Sequence, residues 1–361
     1  MKIFNLVILA RIILCFNLLL IHYSSICISF QQTPLEQHTQ RISSLVISSD
    51  NKFIVTGSWD GTAIIWNVNT KDFIKLIGHK EFITDVSISY DNSLIATTSA
   101  DGTAIIWNAY TGEKLHILRG HYDFVTCAAF SKDGNTLVTG SYDKVAIVWD
   151  TATGQIKNKL ENHLDAVQKI VISNKHNSII SIADKVAYIW NMQTGLLKYK
   201  LESHEKEISD IAISSDERFI VTGSYDKTAK VWDIVPGKLK NTLTGHVYGI
   251  STLSISPNDK FIITGSANNI YVWDFKTGEI KYDLRDEGIS LVYVLAASSD
   301  NNFVITGSFD TALRLWDLNN GRLIDRIYSH KQFITGVAIS PDNSFFASCS
   351  KDSKLIIYKT L

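Results

Sequence analysis

The chain contains few prolines and cysteines and almost no net charge, and these shortages exclude several classes of protein. Its 361 residues include 4 Pro and 4 Cys, and 35 Lys and Arg stand against 36 Asp and Glu, which gives a formal net charge of −1. A near-neutral chain has no global field that would recruit nucleic acid or an anionic membrane surface. We therefore expect no nucleic-acid partner, and membrane contact only through residues 1–29 if that segment is retained.

Motifs for catalysis and for metal or cofactor binding are also missing from the sequence. It contains no glycine-rich phosphate loop, no Gly-x-Ser-x-Gly nucleophile elbow and no His, Cys and carboxylate cluster with metal-ligand spacing. The spacing of Cys15, Cys27, Cys127 and Cys349 fits neither a disulfide framework nor a zinc site. The sequence predicts a protein that is not an enzyme, with no catalytic residues, no metal site and no cofactor.

Long apolar runs are confined to the N-terminus. Residues 1–29 carry Lys2 and Arg11, followed by a charge-free apolar run over 12–21, which is too short for the roughly twenty residues of a transmembrane helix. This pattern is typical of a secretory signal peptide, whereas the absence of any Asn-x-Ser/Thr acceptor argues against export. Two interpretations stay open. In the first, residues 1–29 are a signal peptide or apolar leader, and the protein is secreted or targeted to a membrane. In the second, the protein is cytoplasmic, and its true start lies downstream of residues 1–29.

Residues 30–361 consist of eight copies of one pattern. Each copy contains one aromatic residue at a fixed phase, and successive ones are separated by 41–43 residues. These residues are Trp66, Trp107, Trp149, Trp190, Trp232, Trp273, Trp316 and Tyr358. In the copy at 79–120, alternating apolar residues predict strands near 82–89, 93–98, 103–108 and 114–118. Repetition of a four-stranded unit at this period predicts an all-β fold, a single β-propeller of four-stranded antiparallel blades.

Histidine usage follows the same period. Seven of the ten histidines fall at one phase, and Gly288 takes the eighth slot. The seven are His38, His79, His121, His163, His204, His246 and His330. Because these histidines belong to different copies, they are not expected to converge on a catalytic or metal site.

With its His, Thr or Ser, Asp and Trp phases, the chain resembles the WD-repeat family over residues 35–359. The resemblance implies a buried hydrogen-bond network of these four residue types in each blade, with a structural role. Five complete networks are expected: His38, Thr56, Asp60 and Trp66; His79, Thr97, Asp101 and Trp107; His121, Thr139, Asp143 and Trp149; His163, Ser181, Asp184 and Trp190; and His204, Thr222, Asp226 and Trp232. Three are expected to be eroded, with Asn268 at the Asp position of the sixth copy, Gly288 at the His position of the seventh and Tyr358 at the Trp position of the eighth.

The number of blades follows from the strand count. Only three residues follow Tyr358, so the eighth copy lacks its fourth strand. Leu35 stands three residues before His38, as a Leu or Ile does in most copies, and residues 30–36 can therefore supply the missing outer strand, where Pro34 is tolerated. We expect an eight-bladed ring closed by this N-terminal strand, which removes an exposed edge. A seven-bladed ring is the second choice, because it would leave one complete copy outside the ring.

The resemblance also implies where a partner binds. In WD-repeat proteins two positions per blade reach one face of the ring, namely the residue before the turn Asp and the residue three after the His. At these positions the sequence is rich in aromatic and cationic side chains, which carry much of the binding energy at interfaces. The candidates for partner contact are Arg41, Trp59, Phe82, Phe124, Tyr142, Tyr225, Phe309, Phe333 and Lys351.

We therefore predict a non-catalytic interaction scaffold that binds a peptide or protein partner on this face. Two alternatives stay open. In the first, the aromatic rings at these positions only cover the turns of their own or neighbouring blades and bind no partner. In the second, the chain is an exported propeller that acts as an enzyme or as a ligand or glycan receptor.

Overall fold

The computed structural model describes residues 30–360 of the chain. The predicted signal peptide or apolar leader at 1–29 lies outside the described residues, and so do Cys15 and Cys27. Between residues 30 and 360 no helix has the length and apolar character needed to cross a membrane.

The described residues form thirty-two β-strands, arranged as eight four-stranded antiparallel sheets that we number blades 1 to 8. The first strand is β1 (Phe30–Leu35). Blades 1 and 2 consist of β2 (Ile42–Ile47), β3 (Phe53–Ser58), β4 (Thr62–Asn67) and β5 (Phe73–Ile77), and of β6 (Ile83–Ile88), β7 (Leu94–Ser99), β8 (Thr103–Asn108) and β9 (Lys114–Arg119). Blades 3 and 4 consist of β10 (Val125–Phe130), β11 (Thr136–Ser141), β12 (Ala146–Asp150) and β13 (Ile156–Leu160), and of β14 (Val167–Ser173), β15 (Ser178–Ala183), β16 (Val186–Asn191) and β17 (Leu197–Glu202). Blades 5 and 6 consist of β18 (Ile208–Ile213), β19 (Phe219–Ser224), β20 (Thr228–Asp233) and β21 (Lys238–Thr244), and of β22 (Thr252–Ile255), β23 (Phe261–Gly265), β24 (Ile270–Asp274) and β25 (Ile280–Leu284). Blade 7 and the rest of blade 8 consist of β26 (Val292–Ala297), β27 (Phe303–Ser308), β28 (Leu313–Asp317) and β29 (Leu323–Ile327), and of β30 (Ile334–Ile339), β31 (Phe345–Ser350) and β32 (Leu355–Thr360).

Blade 2 shows why the sequence forms these strands. Its four strands match those predicted from alternation in residues 79–120 to within one residue at each end. The first turn places Asn92 at a φ of 61° and the second places Gly102 at 77°, a backbone region that Asn and Gly adopt more readily than other residues. Turn chemistry and apolar alternation therefore agree, and the blade forms where both predict it.

The eight blades surround a central channel lined by their first strands. Each first strand packs on the first strand of the next blade, and β30 packs back on β2. In six blades a Ser or Thr hydroxyl on the first strand or directly before it donates a hydrogen bond to a backbone carbonyl of the next blade, as Thr335 Oγ1 does to Ile42 O at 2.6 Å. The apolar cores lie between neighbouring blades.

Strand β1 closes the ring, as predicted. It pairs with β32 over all six residues, from Phe30 opposite Thr360 to Leu35 opposite Leu355, so blade 8 takes strands from both ends of the described chain. The Phe30 ring meets that of Phe346 edge to face at 5.2 Å. The eight-bladed prediction is confirmed, and the seven-bladed ring is wrong.

Candidate partner-binding face

Buried hydrogen-bond networks hold the loops of one face of the ring. In blade 1, His38 Nδ1 lies 3.0 Å from Asp60 Oδ2 and Nε2 lies 2.8 Å from Thr56 Oγ1, to which Trp66 Nε1 also donates at 2.8 Å. Asp60 also accepts the backbone N–H of Thr39. The carboxylate therefore ties the loop before β2 to the turn between β3 and β4.

Blades 2, 3 and 5 contain the same network, with the corresponding distances between 2.7 and 3.1 Å. It is formed by His79, Thr97, Asp101 and Trp107, by His121, Thr139, Asp143 and Trp149, and by His204, Thr222, Asp226 and Trp232. Burial alone would raise the pKa of Asp101, but the hydrogen bonds from His79 and Thr103 outweigh burial and hold that pKa well below its usual value. These four Asp are therefore ionised acceptors in the fold.

The network expected in blade 4 does not form with Asp184. His163 Nε2 lies 2.7 Å from Ser181 Oγ, but its Nδ1 lies 3.1 Å from the backbone carbonyl of Lys144. The reason is the turn between β15 and β16, which has only two residues, with Asp184 at a φ of 51°. This shorter turn places the Asp184 carboxylate away from the imidazole, and the Tyr188 hydroxyl instead accepts the N–H of Leu164 at 3.3 Å.

Blade 6 also has a turn between its second and third strands that is one residue shorter than that of blade 1, and it has a similar substitution. Asn268 is expected at the Asp position from the sequence, but the side chain near His246 is Asn269, whose Oδ1 lies 3.2 Å from Nδ1. The Tyr271 ring packs on this imidazole at 4.6 Å, as Tyr188 packs on His163 at 4.8 Å. Because neither imidazole has a carboxylate partner, burial lowers the pKa of both histidines to about 4.

Blade 8 has a working network although it ends in Tyr358. His330 lies 3.0 Å from Asp352 and 2.7 Å from Ser348, and the Tyr358 hydroxyl lies 3.0 Å from the same Ser348 oxygen. Tyr358 therefore replaces the indole N–H with a phenol O–H at the same place. The expectation of an eroded eighth network is wrong, because the Tyr358 hydroxyl forms the contact to Ser348 that an indole N–H forms to Thr or Ser in other blades.

Blade 7 replaces the histidine with a buried ion-pair cluster. Arg314, which is 1% exposed, donates to Asp286 Oδ2 at 2.6 Å and to Asp310 Oδ2 at 2.8 Å. Arg326 donates to the same Asp286. The guanidinium of Arg314 therefore makes the bond to Asp310 that a histidine makes to the turn Asp in other blades.

The two turn aspartates of blades 3 and 4 give a matched stability test. Asp143→Asn should reduce the free energy of unfolding by about 1–3 kcal/mol, because Asn cannot accept from His121, Tyr122 and Val145 together. Asp184→Asn should change it by less than about 0.5 kcal/mol, since His163 does not bond to that side chain. Chemical denaturation of both variants checks this, and an equal loss in the two would contradict the assigned networks.

The two candidate positions of a blade lie side by side on this face. In six blades a backbone hydrogen bond joins them, as the N–H of Trp59 donates to the carbonyl of Arg41 at 2.9 Å. This bond continues the pairing of the first and second strands past their ends. The side chains of both positions therefore emerge together.

Most of the candidate residues form one continuous row, which we call the aromatic arc. Neighbouring ring centroids lie 4.4–6.0 Å apart, and the guanidinium carbon of Arg41 bridges two rings at 5.0 and 5.1 Å. The arc runs over blades 3, 2, 1, 8 and 7 through Tyr142, Phe124, Phe82, Trp59, Arg41, Phe333, Phe309 and Tyr293. Several of these rings are substantially exposed, including Trp59 at 43% and Tyr142 at 53%.

Two candidates lie at the borders of the arc. Lys351 Nζ lies 5.5 Å from the Phe333 centroid and extends the arc with a second cation. Tyr225 makes no ring contact with the arc residues and instead lines the channel mouth with Tyr293. Burial, followed by the nearby Glu207 carboxylate, raises the pKa of Tyr225.

Tyr293 belongs to the arc but is not among the candidates from the sequence. It lies on β26 at the position where six other blades carry a bridging Ser or Thr. Its ring contacts Phe309 at 5.7 Å and Phe333 at 6.3 Å. Alignment of the copies could have revealed it, because Tyr293 is the single aromatic residue at a position where six other copies have Ser or Thr.

The central channel next to the arc is a polar cavity of about 420 Å³. Asp85 accepts from Ser44 and from the N–H of Ala128 in the next blade, and Asp210 accepts from Lys169 and from the N–H of Leu253. Burial raises the pKa of Asp85. These carboxylates therefore join neighbouring blades.

Metal ligation and thiol chemistry find little support in the described residues. No group of three His, Cys, Asp or Glu side chains between residues 30 and 360 is placed to hold a metal ion. Cys127 and Cys349 are buried free thiols, and burial raises the pKa of each to about 12. These two thiols are therefore protonated, poorly nucleophilic core residues.

A family model described as "WD domain, G-beta repeat" matches most of the chain. The matched segments are residues 28–67, 71–108, 112–150, 195–233, 237–274, 285–317 and 321–359. The unmatched residues 151–194 include the first three strands of blade 4. In this blade the turn between β15 and β16 is short, and Asp184 does not bond to His163.

Relatives of known name match short segments of this chain. Cross-pathway control WD-repeat protein 2 of Flammulina velutipes is 31% identical over 85 residues, which cover 22% of this chain and 27% of that protein. Small ribosomal subunit protein RACK1y of Oryza sativa subsp. japonica is 33% identical over 55 residues, covering 15% of this chain and 16% of that protein. A subunit of chromatin assembly factor 1 from Saccharomyces cerevisiae is 36% identical over 67 residues, covering 19% of this chain and 14% of that protein. The matches thus span no more than 27% of the length of these relatives.

The fold is also similar to that of a solved structure. The crystal structure of the computationally designed Ika8 protein superposes with a TM-score of 0.81 at 29% sequence identity, covering 90% of this chain and 98% of that one. The repeat matches, the blade networks and this superposition agree: the chain belongs to the WD-repeat family of β-propellers.

Proposed function

We propose that this propeller is a non-catalytic interaction scaffold that binds a peptide segment or protein partner on the face that carries the aromatic arc. The observation that supports this most is the continuity of the arc across five blades. Two of the relatives are by name a ribosomal subunit protein and a subunit of an assembly factor, and both names denote components of larger assemblies.

The chemistry of the arc favours binding of a partner over a role in covering turns. Trp59, Phe124, Tyr142 and Phe309 are each more than two-fifths exposed, although aromatic rings gain most from burial. Exposed contiguous apolar surface is typical of interaction sites. A partner that covered these rings would bury much apolar area at a small entropic cost, since their mutual contacts already restrict their rotamers.

The alternative function, a ligand or glycan receptor or an enzyme, would use polar groups at the channel mouth. The acidic groups there, Asp85 and Asp210, accept backbone N–H groups of the following blade, and Lys169 is bound to Asp210. A ligand at this place would have to compete with the bonds that join the blades. The exposed aromatic surface therefore supports the scaffold better than the channel supports a receptor or a catalyst.

The triple substitution Trp59→Ala, Phe82→Ala and Phe124→Ala tests the proposed function. We expect it to weaken partner capture about a hundredfold or more, because truncation of a hot-spot residue at an interface costs about 2 kcal/mol or more. Wild type and variant would be compared by affinity purification from cells of the source organism, with quantitative mass spectrometry of the proteins that co-purify.

The chain offers a matched control on the opposite face. Tyr90 and Tyr110 are 65% and 63% exposed and lie in the connections at the other ends of the strands. The variant Tyr90→Ala with Tyr110→Ala should retain the partners of the wild type. If the triple variant keeps its fold by circular dichroism and the same partners as the wild type, the arc is not the binding site.

A further inference from the structure

We infer that the partner segment presents a carboxylate side chain to Arg41, with large apolar side chains at alternate positions along the arc. This inference rests on the proposed function, and it names the chemistry of the partner at the same face. It follows from the surroundings of one guanidinium group.

Arg41 is held by rings and has no carboxylate partner among the described residues. Its guanidinium carbon lies 5.0 Å from the Trp59 centroid and 5.1 Å from that of Phe333, and its buried Nε has no hydrogen-bond partner between residues 30 and 360. The buried Arg314 of blade 7, in contrast, is bonded to two aspartates. The ring faces orient the Arg41 guanidinium, but they offer its N–H groups no acceptor oxygen.

The carboxylates that follow Trp59 and Lys351 in the sequence are already engaged in the blade networks. Asp60 follows Trp59 but accepts from His38, and Asp352 follows Lys351 but accepts from His330. Lys351 itself lies over the Phe333 ring, which is also a neighbour of Arg41. The middle of the arc, over blades 8 and 1, is therefore cationic, and it complements an anion.

The planar guanidinium group of Arg41 matches a carboxylate as that anion. The guanidinium carbon lies over the rings of Trp59 and Phe333, and the planar group presents its N–H donors at its edge. A carboxylate is also planar and binds such an edge through two parallel hydrogen bonds.

The spacing of the rings fixes the rest of the pattern. Successive centroids from Trp59 through Phe82 and Phe124 to Tyr142 lie 5.2, 5.6 and 6.0 Å apart. An extended segment advances about 3.3 Å per residue, and alternate side chains point to the same side. Roughly five extended residues would reach along these rings, with every second side chain against them. An acidic residue at Arg41 would thus be followed or preceded by apolar residues at alternate positions.

Selection of random displayed peptides on the full-length chain tests this inference. Peptides that bind the wild type should carry an Asp or Glu at a constant distance from apolar residues at alternate positions. Arg41→Gln should select the same apolar pattern without the acidic residue. A matched control, Arg119→Gln on the exposed strand β9, should select as the wild type does.

Binding of single peptides gives the decisive measurement. A fluorescein-labelled selected peptide should bind the wild type about tenfold more tightly than its copy with Gln in place of the acidic residue. Arg41→Gln should bind both copies equally, and thermal unfolding of this variant checks that it is folded. A copy with phosphoserine at that position should bind no more tightly than the acidic peptide. Tenfold tighter binding of the phosphoserine copy would overturn the carboxylate assignment in favour of phosphate.

The outcomes separate this inference from the proposed function. If the triple aromatic variant loses the selected peptides but Arg41→Gln keeps the acidic preference, the carboxylate inference fails and the binding face stands. If the triple variant selects the same peptides as the wild type, or the wild type selects none, the proposed function fails and the inference fails with it.

Discussion

We expect deletion of residues 30–37 to lower the melting temperature of the propeller by roughly 10 °C or more. The deletion removes β1, which pairs with β32 over six residues and forms the outer strand of blade 8. At about 1 kcal/mol for each lost backbone hydrogen bond, the free energy of unfolding should fall by about 5 kcal/mol. The loss also leaves β32 as a bare edge in the only blade that joins the two ends of the described chain.

The side chains of β1 provide the control for this deletion. Gln31 and Gln32 are exposed, so Gln31→Ala with Gln32→Ala keeps the backbone pairing and should leave the melting curve within about 2 °C of the wild type. Leu35, in contrast, packs on the core between blades 8 and 1. Differential scanning calorimetry of the two variants would measure the difference. A melting curve unchanged by the deletion would refute the stabilising role of this closure.

The ring and its closure could be predicted because each depends on a position along the chain. The spacing of Trp66 and its seven equivalents determines the number of blades, and the position of Leu35 before His38 predicts the strand that closes the ring. Both are properties of the backbone register, which the hydrophobic alternation encodes directly. Substitutions at single positions do not change them.

The networks were harder to predict because they depend on the reach of side chains. Asp184 is the expected residue type, but a turn one residue shorter removes it from His163. Tyr358 is an unexpected residue type, but its hydroxyl reaches Ser348. Residue identity alone therefore predicts a complete network in blade 4 that does not form, and it predicts an eroded network in blade 8 that does form.

The arc shows a third limit of sequence-based prediction. Family resemblance indicates most of its members because two loop positions per blade face the same side. It does not indicate Tyr293, which lies on a strand at the position where six other blades place a small Ser or Thr that bonds to the next blade. Tyr293 is a strand residue whose ring packs with rings of loop residues. Only the three-dimensional arrangement shows such a contact.

Blade 7 leads to the second large effect. Asp286→Ala should reduce the free energy of unfolding by about 3–5 kcal/mol, because it leaves the buried guanidinium of Arg314 without one of its two carboxylate partners. Burial alone would raise the pKa of Asp286, but the hydrogen bonds from Arg314 and Arg326 outweigh it and hold that pKa below its usual value. The Asp286 carboxylate is therefore ionised and is shared by two arginines.

Asp283, three residues earlier, gives the matched control for this substitution. It pairs with Arg285, whose side chain is 71% exposed, and solvent-exposed pairs of this kind contribute little to stability. Asp283→Ala should therefore cost far less than Asp286→Ala in urea denaturation. The Asp286 variant should also weaken partner capture, because its loop leads to Leu291, whose carbonyl accepts the N–H of Phe309 in the arc. Equal losses for the two aspartates would show that the cluster does not replace the missing histidine, whereas a large loss at Asp286 alone would link the stability of blade 7 to the shape of the binding face.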